Sequence, residues 1–334
     1  MPVALIVPEM LQGDDIPCVK LLKEAGFDVR FPQERQLARG QCSRAESIAE
    51  LSVAQATIAG GEEYSDSVLE ELPDLRVIAR CGVGYDSVEV PAASQRKIPV
   101  TITPNSNREA VAELALALLF GVTKSVVAND KEVRAGNWPR KPLTPLRGKT
   151  LGIFGLGRIG AALASRAKAL GLNVIATESR PNPEVVSELQ IELVDFDALL
   201  EQSDIISLHC PLNDETQGLF DATVFAKMKS DSILINTARG KIVKEADLIR
   251  ALQANQLGGA GLDVFEVEPP APDNPLFQLD NVVLSPHMGG VDEMSIEAMG
   301  LEAASCIIKL FRGEWPTGAV VNDELKQDWS AIVG

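Results

Sequence analysis

One stretch in the middle of the chain, KTLGIFGLGRIG over residues 149–160, constrains the fold more than any other part of the sequence. Its apolar first half reads as a buried parallel strand, and the GxGxxG of Gly155, Gly157 and Gly160 follows directly. An Ala/Leu-rich helical pattern runs from Ala161 to Leu170, and a second apolar run, Leu172 to Ala176, leads to the acidic Glu178. A glycine triplet alone is weak evidence. Strand, turn, helix, second strand and a carboxylate 18 residues past the last glycine together form the dinucleotide-binding βαβ fingerprint. Gly155 permits the tight turn, Gly157 lets backbone approach a pyrophosphate, and Gly160 lets helix and strand pack closely. The helix start adds free amides and the positive end of its dipole.

The fingerprint begins late, and another α/β series precedes it. Val3 to Val7, Asp28 to Phe31, Ala56 to Ala59, Val77 to Arg80 and Val100 to Ile102 read as strands. Asp15 to Ala25, Arg44 to Ser52 and Ser67 to Leu72 read as the helices between them. Asn105 to Val127 reads as one long apolar helix, followed by the Trp/Pro segment Asn137-Trp138-Pro139-Arg140. Beyond the fingerprint, Asp204 to His209, Ser232 to Asn236, Gly259 to Val264 and Asn281 to Leu284 read as strands. Asp292 to Arg312 carries a 3.6-residue apolar period. The expected architecture is two α/β domains, a Rossmann dinucleotide-binding domain at 104–289 inserted into a flavodoxin-like substrate domain made of 1–103 and 290–334. The active site is expected where the two domains meet.

A length of 334 residues suits two domains, and a net charge of −16 argues against nucleic acid and anionic membrane surfaces as partners. Val111 to Val122 is too short and too interrupted by Glu113 to span a bilayer, and Met1 to Val7 has no basic region before its apolar run. Cys18, Cys42, Cys81, Cys210 and Cys306 are dispersed, without a CxxC pair, which suits reduced thiols in a cytoplasmic protein. With only two histidines, no metal site is expected.

Three strand ends carry the chemistry. Asn236-Thr237-Ala238-Arg239-Gly240, Asp263 to Pro269 and Ser285 to Gly290 each follow a strand-like run, where parallel sheets bind ligands. Arg239 can hold a carboxylate by two parallel bonds and polarise the adjacent carbonyl. His287 can give or take the proton that accompanies hydride transfer. Glu268 can bond the other imidazole nitrogen, orienting the ring and stabilising its charged form. Each has a plainer rival, a structural Arg–Glu pair or a satisfied core histidine. For His209, at a strand end, a structural or cofactor-edge role outweighs catalysis. Cys81 and Cys210 lack a base partner and read as inert packing thiols.

With GLGRIG, LHCPLNDETQGL, INTARG, GLDVFEVEP and SPHMGG in this order, the chain resembles the D-isomer-specific 2-hydroxyacid dehydrogenase family. The resemblance is nearest to the phosphoglycerate and the hydroxypyruvate or glyoxylate reductase branches. It implies an oxidoreductase of small 2-hydroxy and 2-oxo acids, an NAD coenzyme and a homodimer. It also implies the catalytic trio Arg239, Glu268 and His287, with Asn107 and Glu113 in the segment that starts the interdomain helix. By the same matching, Gly155, Gly157, Arg158, Ile159, Gly160 and Glu178 hold the coenzyme. His209, Pro211, Thr216, Thr237, Ala238 and Gly289 line it further, and Asp263 bonds the nicotinamide carboxamide. The Cys81–Gly84 loop, through Val83 and Gly84, joins Arg239 and His287 on the substrate.

Glu178 would accept ribose hydroxyls and repel a 2′-phosphate, which favours NAD; the neighbouring Ser179-Arg180 keeps NADP as the lesser expectation. The length is also taken to leave no regulatory serine-binding domain of the kind that longer phosphoglycerate enzymes carry. Gly60-Gly61-Glu62-Glu63-Tyr64 stands where phosphoglycerate enzymes tend to be basic, so two carboxylates are expected to repel a phosphate, unless Arg80 or a cation from a partner subunit compensates; phosphorylation of the acid stays open. The alternatives are an NAD(H)-sensing co-repressor-like scaffold, which could keep the same trio, and a hydrolase of the S-adenosylhomocysteine type, which the motifs at Arg239 and His287 do not support.

Overall fold

A computed structural model of the protein describes residues 1–329; the last five residues of the expected first domain, 330–334, lie outside the described residues. The chain divides into two compact units, residues 1–107 with 291–334, and residues 108–290. Each is described by itself.

The first unit is built on a five-stranded parallel sheet in the order β2-β1-β3-β4-β5. Its strands are β1 (Val3–Ile6), β2 (Asp28–Arg30), β3 (Ala56–Ala59), β4 (Val77–Arg80) and β5 (Val100–Thr101). This is the flavodoxin-like order. Consecutive side chains of a strand point to opposite faces, and both faces are covered. Ala4 and Ile6 therefore join Cys18, Leu22 and Ile307 on one side. Leu5 and Val7 join Leu51, Leu69 and Ile98 on the other. Helices Pro17–Glu24 and Glu293–Phe311 cover the first face, and Asp292 caps the longer one by accepting the Ser295 N–H.

The second unit holds seven parallel strands: β6 (Thr150–Phe154), β7 (Asn173–Thr177), β8 (Glu192–Leu193), β9 (Ile205–Leu208), β10 (Ile233–Asn236), β11 (Gly259–Leu262) and β12 (Val282–Leu284). Their order is β12-β11-β10-β9-β6-β7-β8. Within this unit the first six strands run 3-2-1-4-5-6, the Rossmann order, and β12 adds a seventh at the edge. The strand order reverses at β6, so the glycine turn opens at the switch point. Alternation again divides the core, with Ile206, Leu234 and Leu262 on one face and Ile205, Ile233 and Ile235 on the other.

The single helix expected over Asn105 to Val127 is two. Helix Arg108–Thr123 ends, Ser125 takes a left-handed φ of 48°, and Val126–Arg134 continues at a 57° bend. The Thr123 hydroxyl donates back to Leu119 O at 2.7 Å, which competes with the helical ladder where the break occurs. Among the described residues no single helix is long and apolar enough to cross a membrane. The structure adds short helices at Val90–Gln95, Pro183–Leu189, Phe196–Gln202 and Glu245–Gln253.

Candidate active site

The glycine turn after β6 shows three different reasons for glycine. Gly155 has φ 99°, and a Cβ there would lie 2.7 Å from the His209 carbonyl carbon and the Cys210 amide. A Cβ on Gly160 would lie 2.2 Å from Gly155 O, so helix Arg158–Ala169 packs on the turn only with glycine at that position. In front of Gly157 nothing stands within 4 Å of an added Cβ, which leaves the helix start open to a ligand. Gly157 caps that helix without any side-chain bond, so the first amides, at Arg158, Ile159 and Gly160, have no intrahelical acceptor.

Glu178, just past β7, turns toward this loop. Its Oε2 accepts the Leu156 N–H at 2.8 Å and its Oε1 accepts the Arg180 N–H at 3.0 Å. Thr237 at the end of β10 is buried, and its Oγ1 has no hydrogen-bond partner among the described residues. An open glycine face, uncommitted helix amides and an orphaned hydroxyl fit a dinucleotide. Pro211 and Thr216 lie together in one turn, with the Thr216 hydroxyl donating to Pro211 O at 2.7 Å and accepting the Asn213 N–H at 2.9 Å. The Thr216 hydroxyl thus holds its own turn.

Arg239, Glu268 and His287 follow β10, β11 and β12, three adjacent strands of one sheet. The Asn236 side chain shapes the first loop, accepting the Ala238 N–H at 3.0 Å and donating to Arg239 O at 2.9 Å. The half-buried Arg239 donates Nη1–H to Ala238 O at 2.6 Å. Gly240 must be glycine, because a Cβ would sit 1.8 Å from Phe265 O; that contact draws the Arg239 loop against the Glu268 loop.

Glu268 Oε1 accepts the Phe265 N–H at 2.9 Å, and Oε2 lies 2.7 Å from His287 Nδ1. Burial alone would push the Glu268 carboxyl up. The His287 bond and charge, the Phe265 N–H and the Arg239 charge outweigh it and hold the carboxyl below its ordinary range. A charged carboxylate has no proton to offer, so Nδ1 carries the hydrogen and Nε2 is left to face a reactant. The His287 side chain is 49% exposed, which suits a group that must meet one.

His287 itself has φ 57°, uncommon for a side chain of its kind. Asp263 holds it there. The Asp263 carbonyl accepts the His287 N–H at 2.8 Å, Oδ1 accepts Met288 N–H at 2.8 Å, and Oδ2 accepts Gly289 N–H at 2.8 Å. With the residue 1% exposed and each oxygen accepting one amide, the structure shows Asp263 as a clamp on the histidine loop.

Comparison with known proteins gives the family. The family model described as "D-isomer specific 2-hydroxyacid dehydrogenase, NAD binding domain" matches residues 116–289. A glyoxylate reductase of Thermococcus litoralis is 42% identical over 79% of the chain and 82% of its own length. The chain belongs to the D-isomer-specific 2-hydroxyacid dehydrogenase family. A D-3-phosphoglycerate dehydrogenase of Archaeoglobus fulgidus is 40% identical over 81% of the chain, which spans only 52% of that relative. The TT0316 protein of Thermus thermophilus superimposes with a TM-score of 0.85 at 34% identity, over 96% of this chain and 99% of that one. None of these relatives supports the sensing-scaffold alternative.

Within this family member the remaining expected residues fall as follows. His209 ends β9 with Nε2 2.7 Å from Ser207 Oγ, and burial pushes its imidazole down to about 4, so it stays neutral near pH 7. Burial pushes the Cys81 and Cys210 thiols up to about 12, which makes them poor nucleophiles. Asn107 is buried, and Glu113 pairs with Arg166 at 3.7 Å on helix Arg158–Ala169. In the first unit, Val83 and Gly84 sit in the loop after β4, where neither N–H takes an intramolecular acceptor among the described residues.

One sequence expectation is corrected. Glu62 was expected to present a carboxylate that repels phosphate, yet it is completely buried, bonded to Tyr64 Oη at 2.8 Å and to the Gly60 N–H at 2.8 Å. The sequence has no periodic signal there to show that the side chain turns inward.

Proposed function

We propose that this family member is an NAD(H)-dependent oxidoreductase that interconverts a small 2-oxo acid and its 2-hydroxy acid. The observation that carries the reading is the Glu268–His287 pair, held 2.7 Å apart on a sheet whose β6, at the switch point, opens into a dinucleotide-type glycine turn. The amides of Arg158, Ile159 and Gly160 take the pyrophosphate, Glu178 the adenosine ribose, and Thr237, Ala238 and Gly289 the nicotinamide end. His209 and the Pro211–Thr216 turn border the adenosine. The bound coenzyme supplies or accepts the hydride at the substrate's second carbon.

Arg239 pairs with the substrate carboxylate and polarises the neighbouring carbonyl, and the role of the Val83 and Gly84 amides is to donate to a substrate carboxylate. In the reducing direction His287 gives its Nε2 proton to the carbonyl oxygen as hydride arrives at the carbon, leaving a hydroxyl and a neutral imidazole that solvent reprotonates. Glu268 keeps its charge and steadies the imidazolium before that transfer.

The coenzyme is NAD, because Glu178 places a carboxylate in the ribose position. The substrate class is hydroxypyruvate, glyoxylate or 3-phosphohydroxypyruvate. Initial rates with NADH and NADPH against these three acids, pyruvate and 2-oxoglutarate separate the branches. Turnover of at least one acid with NADH preferred is expected, and Glu178→Ala should raise kcat/KM with NADPH about tenfold. No turnover of any acid sinks the reading; no gain with NADPH removes the reason for NAD.

The working form is a homodimer joined through the second unit. Val126, Val127 and Trp138 of that unit are 55%, 57% and 78% exposed, large apolar side chains that a partner copy would cover. Sedimentation should give twice the chain mass of 35.8 kDa, and a monomer would overturn this.

A further inference from the structure

The first unit buries a polar cluster beneath the loop of Val83 and Gly84. β3 and β4 pair in parallel with Ala59 opposite Arg80, so the segments that follow them leave the sheet side by side. A backbone bridge joins the two segments at Tyr64 and Val88, with Tyr64 N–H donating to Ser87 O at 2.7 Å. Beneath this bridge the Tyr64 hydroxyl lies 2.8 Å from Glu62 Oε1 and 3.0 Å from Thr57 Oγ1. One phenolic proton cannot serve both: donated to Glu62, it leaves Thr57 to donate to Tyr64. Glu62 Oε2 accepts the Gly60 N–H, so the carboxyl group receives two bonds and gives none, the pattern of a carboxylate.

A buried carboxylate needs a cation. Burial pushes the Glu62 carboxyl above its ordinary range, and the nearby Arg80 guanidinium offsets part of that rise. Arg80 Nη1 is buried with no hydrogen-bond partner among the described residues, so Glu62 meets its charge through space. Arg80 Nε–H donates to Gly84 O at 3.0 Å. The rest of the loop is tied as well. Cys81 N–H donates to Ala59 O at 3.0 Å, and Gly82 exchanges bonds with Thr103 through its N–H and its carbonyl, each at 2.9 Å. With these groups engaged, Val83 and Gly84 keep their amides free.

We infer that Arg80, bonded to Gly84 O and close to the buried Glu62, is a positioning residue that sets the Val83–Gly84 amides for the substrate carboxylate. The inference rests on the substrate role proposed above for those two amides. Arg80 does not touch substrate; it acts through Gly84 O. The Glu62 charge is spent on Arg80, so the cluster adds no net charge to the loop.

Three variants test it: Arg80→Met, Glu62→Gln, and the double variant, which removes both charges together and so leaves neither buried alone. The measurements are kcat and KM for hydroxypyruvate, the Kd of NADH, and the melting temperature. Arg80→Met and the double variant should raise KM about tenfold while kcat changes by less than about threefold. Glu62→Gln alone, which leaves Arg80 tethered but less firmly held, should raise KM about threefold. NADH affinity should stay within about twofold in all three, because the glycine turn lies in the other unit. A merely structural role would lower the melting temperature without this split between KM and kcat. Wild-type KM in a folded double variant overturns the inference. A wild-type protein that turns over none of the acids overturns the proposed function first, and this inference with it.

Discussion

Asparagine at position 287 is expected to lower kcat about 1000-fold and to leave the Kd of NADH within about twofold of wild type. Asparagine is the suitable replacement because it tolerates the left-handed backbone that His287 adopts at φ 57°. The loop should then survive while the proton donor is lost. The effect is large because the imidazole supplies the proton as charge develops on the substrate oxygen, and a neutral amide cannot. Steady-state rates with the best 2-oxo acid check it, and a loss of less than about tenfold would remove His287 from the chemistry.

The pH behaviour of its partner follows by sign. Glu268 has a folded pKa below its ordinary carboxylate value, so the unfolded chain takes up its proton first as pH falls. Its ionisation therefore stabilises the fold at every pH above the ordinary carboxylate range. The contribution fades only as pH drops from that range through the lowered folded value.

The second large effect belongs to a residue that need not touch the reactants. Asp263→Asn should cost about 2–3 kcal/mol of stability and lower kcat about 100-fold. The native carboxylate accepts two amides, those of Met288 and Gly289, at 2.8 Å each. An asparagine turns an NH2 donor toward one of them and leaves a buried donor facing a donor. The loop that holds His287 at a positive φ then loses a side-chain restraint, and small misplacements of a proton donor are costly. Urea unfolding and turnover measured on the same preparation test both halves. A variant within about 1 kcal/mol of wild type and with unchanged kcat would show that the clamp does not matter.

Much of the site could be read from the chain because its parts follow short local signals. Gly155, Gly157 and Gly160 announce a turn whose stereochemistry only glycine meets, and the spacing to Glu178 is that of one helix and one strand. Arg239, Glu268 and His287 stand after apolar runs that do become β10, β11 and β12, and strand ends in a parallel sheet gather on one edge. Boundaries within a residue or two followed from the same runs, as β3 and β4 illustrate.

Other features left no local trace. Helix Arg108–Thr123 stops where Ser125 adopts a left-handed conformation, a bend that the apolar Val126 and Val127 just beyond it do not announce. Glu62 reads as a charge open to substrate beside Glu63, and only its bond from Tyr64 and the approach of Arg80 on the neighbouring strand make its burial tolerable. Asp263 was identified as a site residue, but its grip on three consecutive amides depends on how β11 and β12 lie in register. Residue type and spacing along the chain thus determined the two α/β sheets, the glycine turn and the identity of the candidate trio. Tertiary structure alone decided which charges are buried, what pairs them and which loops are clamped, because those outcomes depend on groups from separate strands meeting at hydrogen-bond distance, which no local pattern encodes.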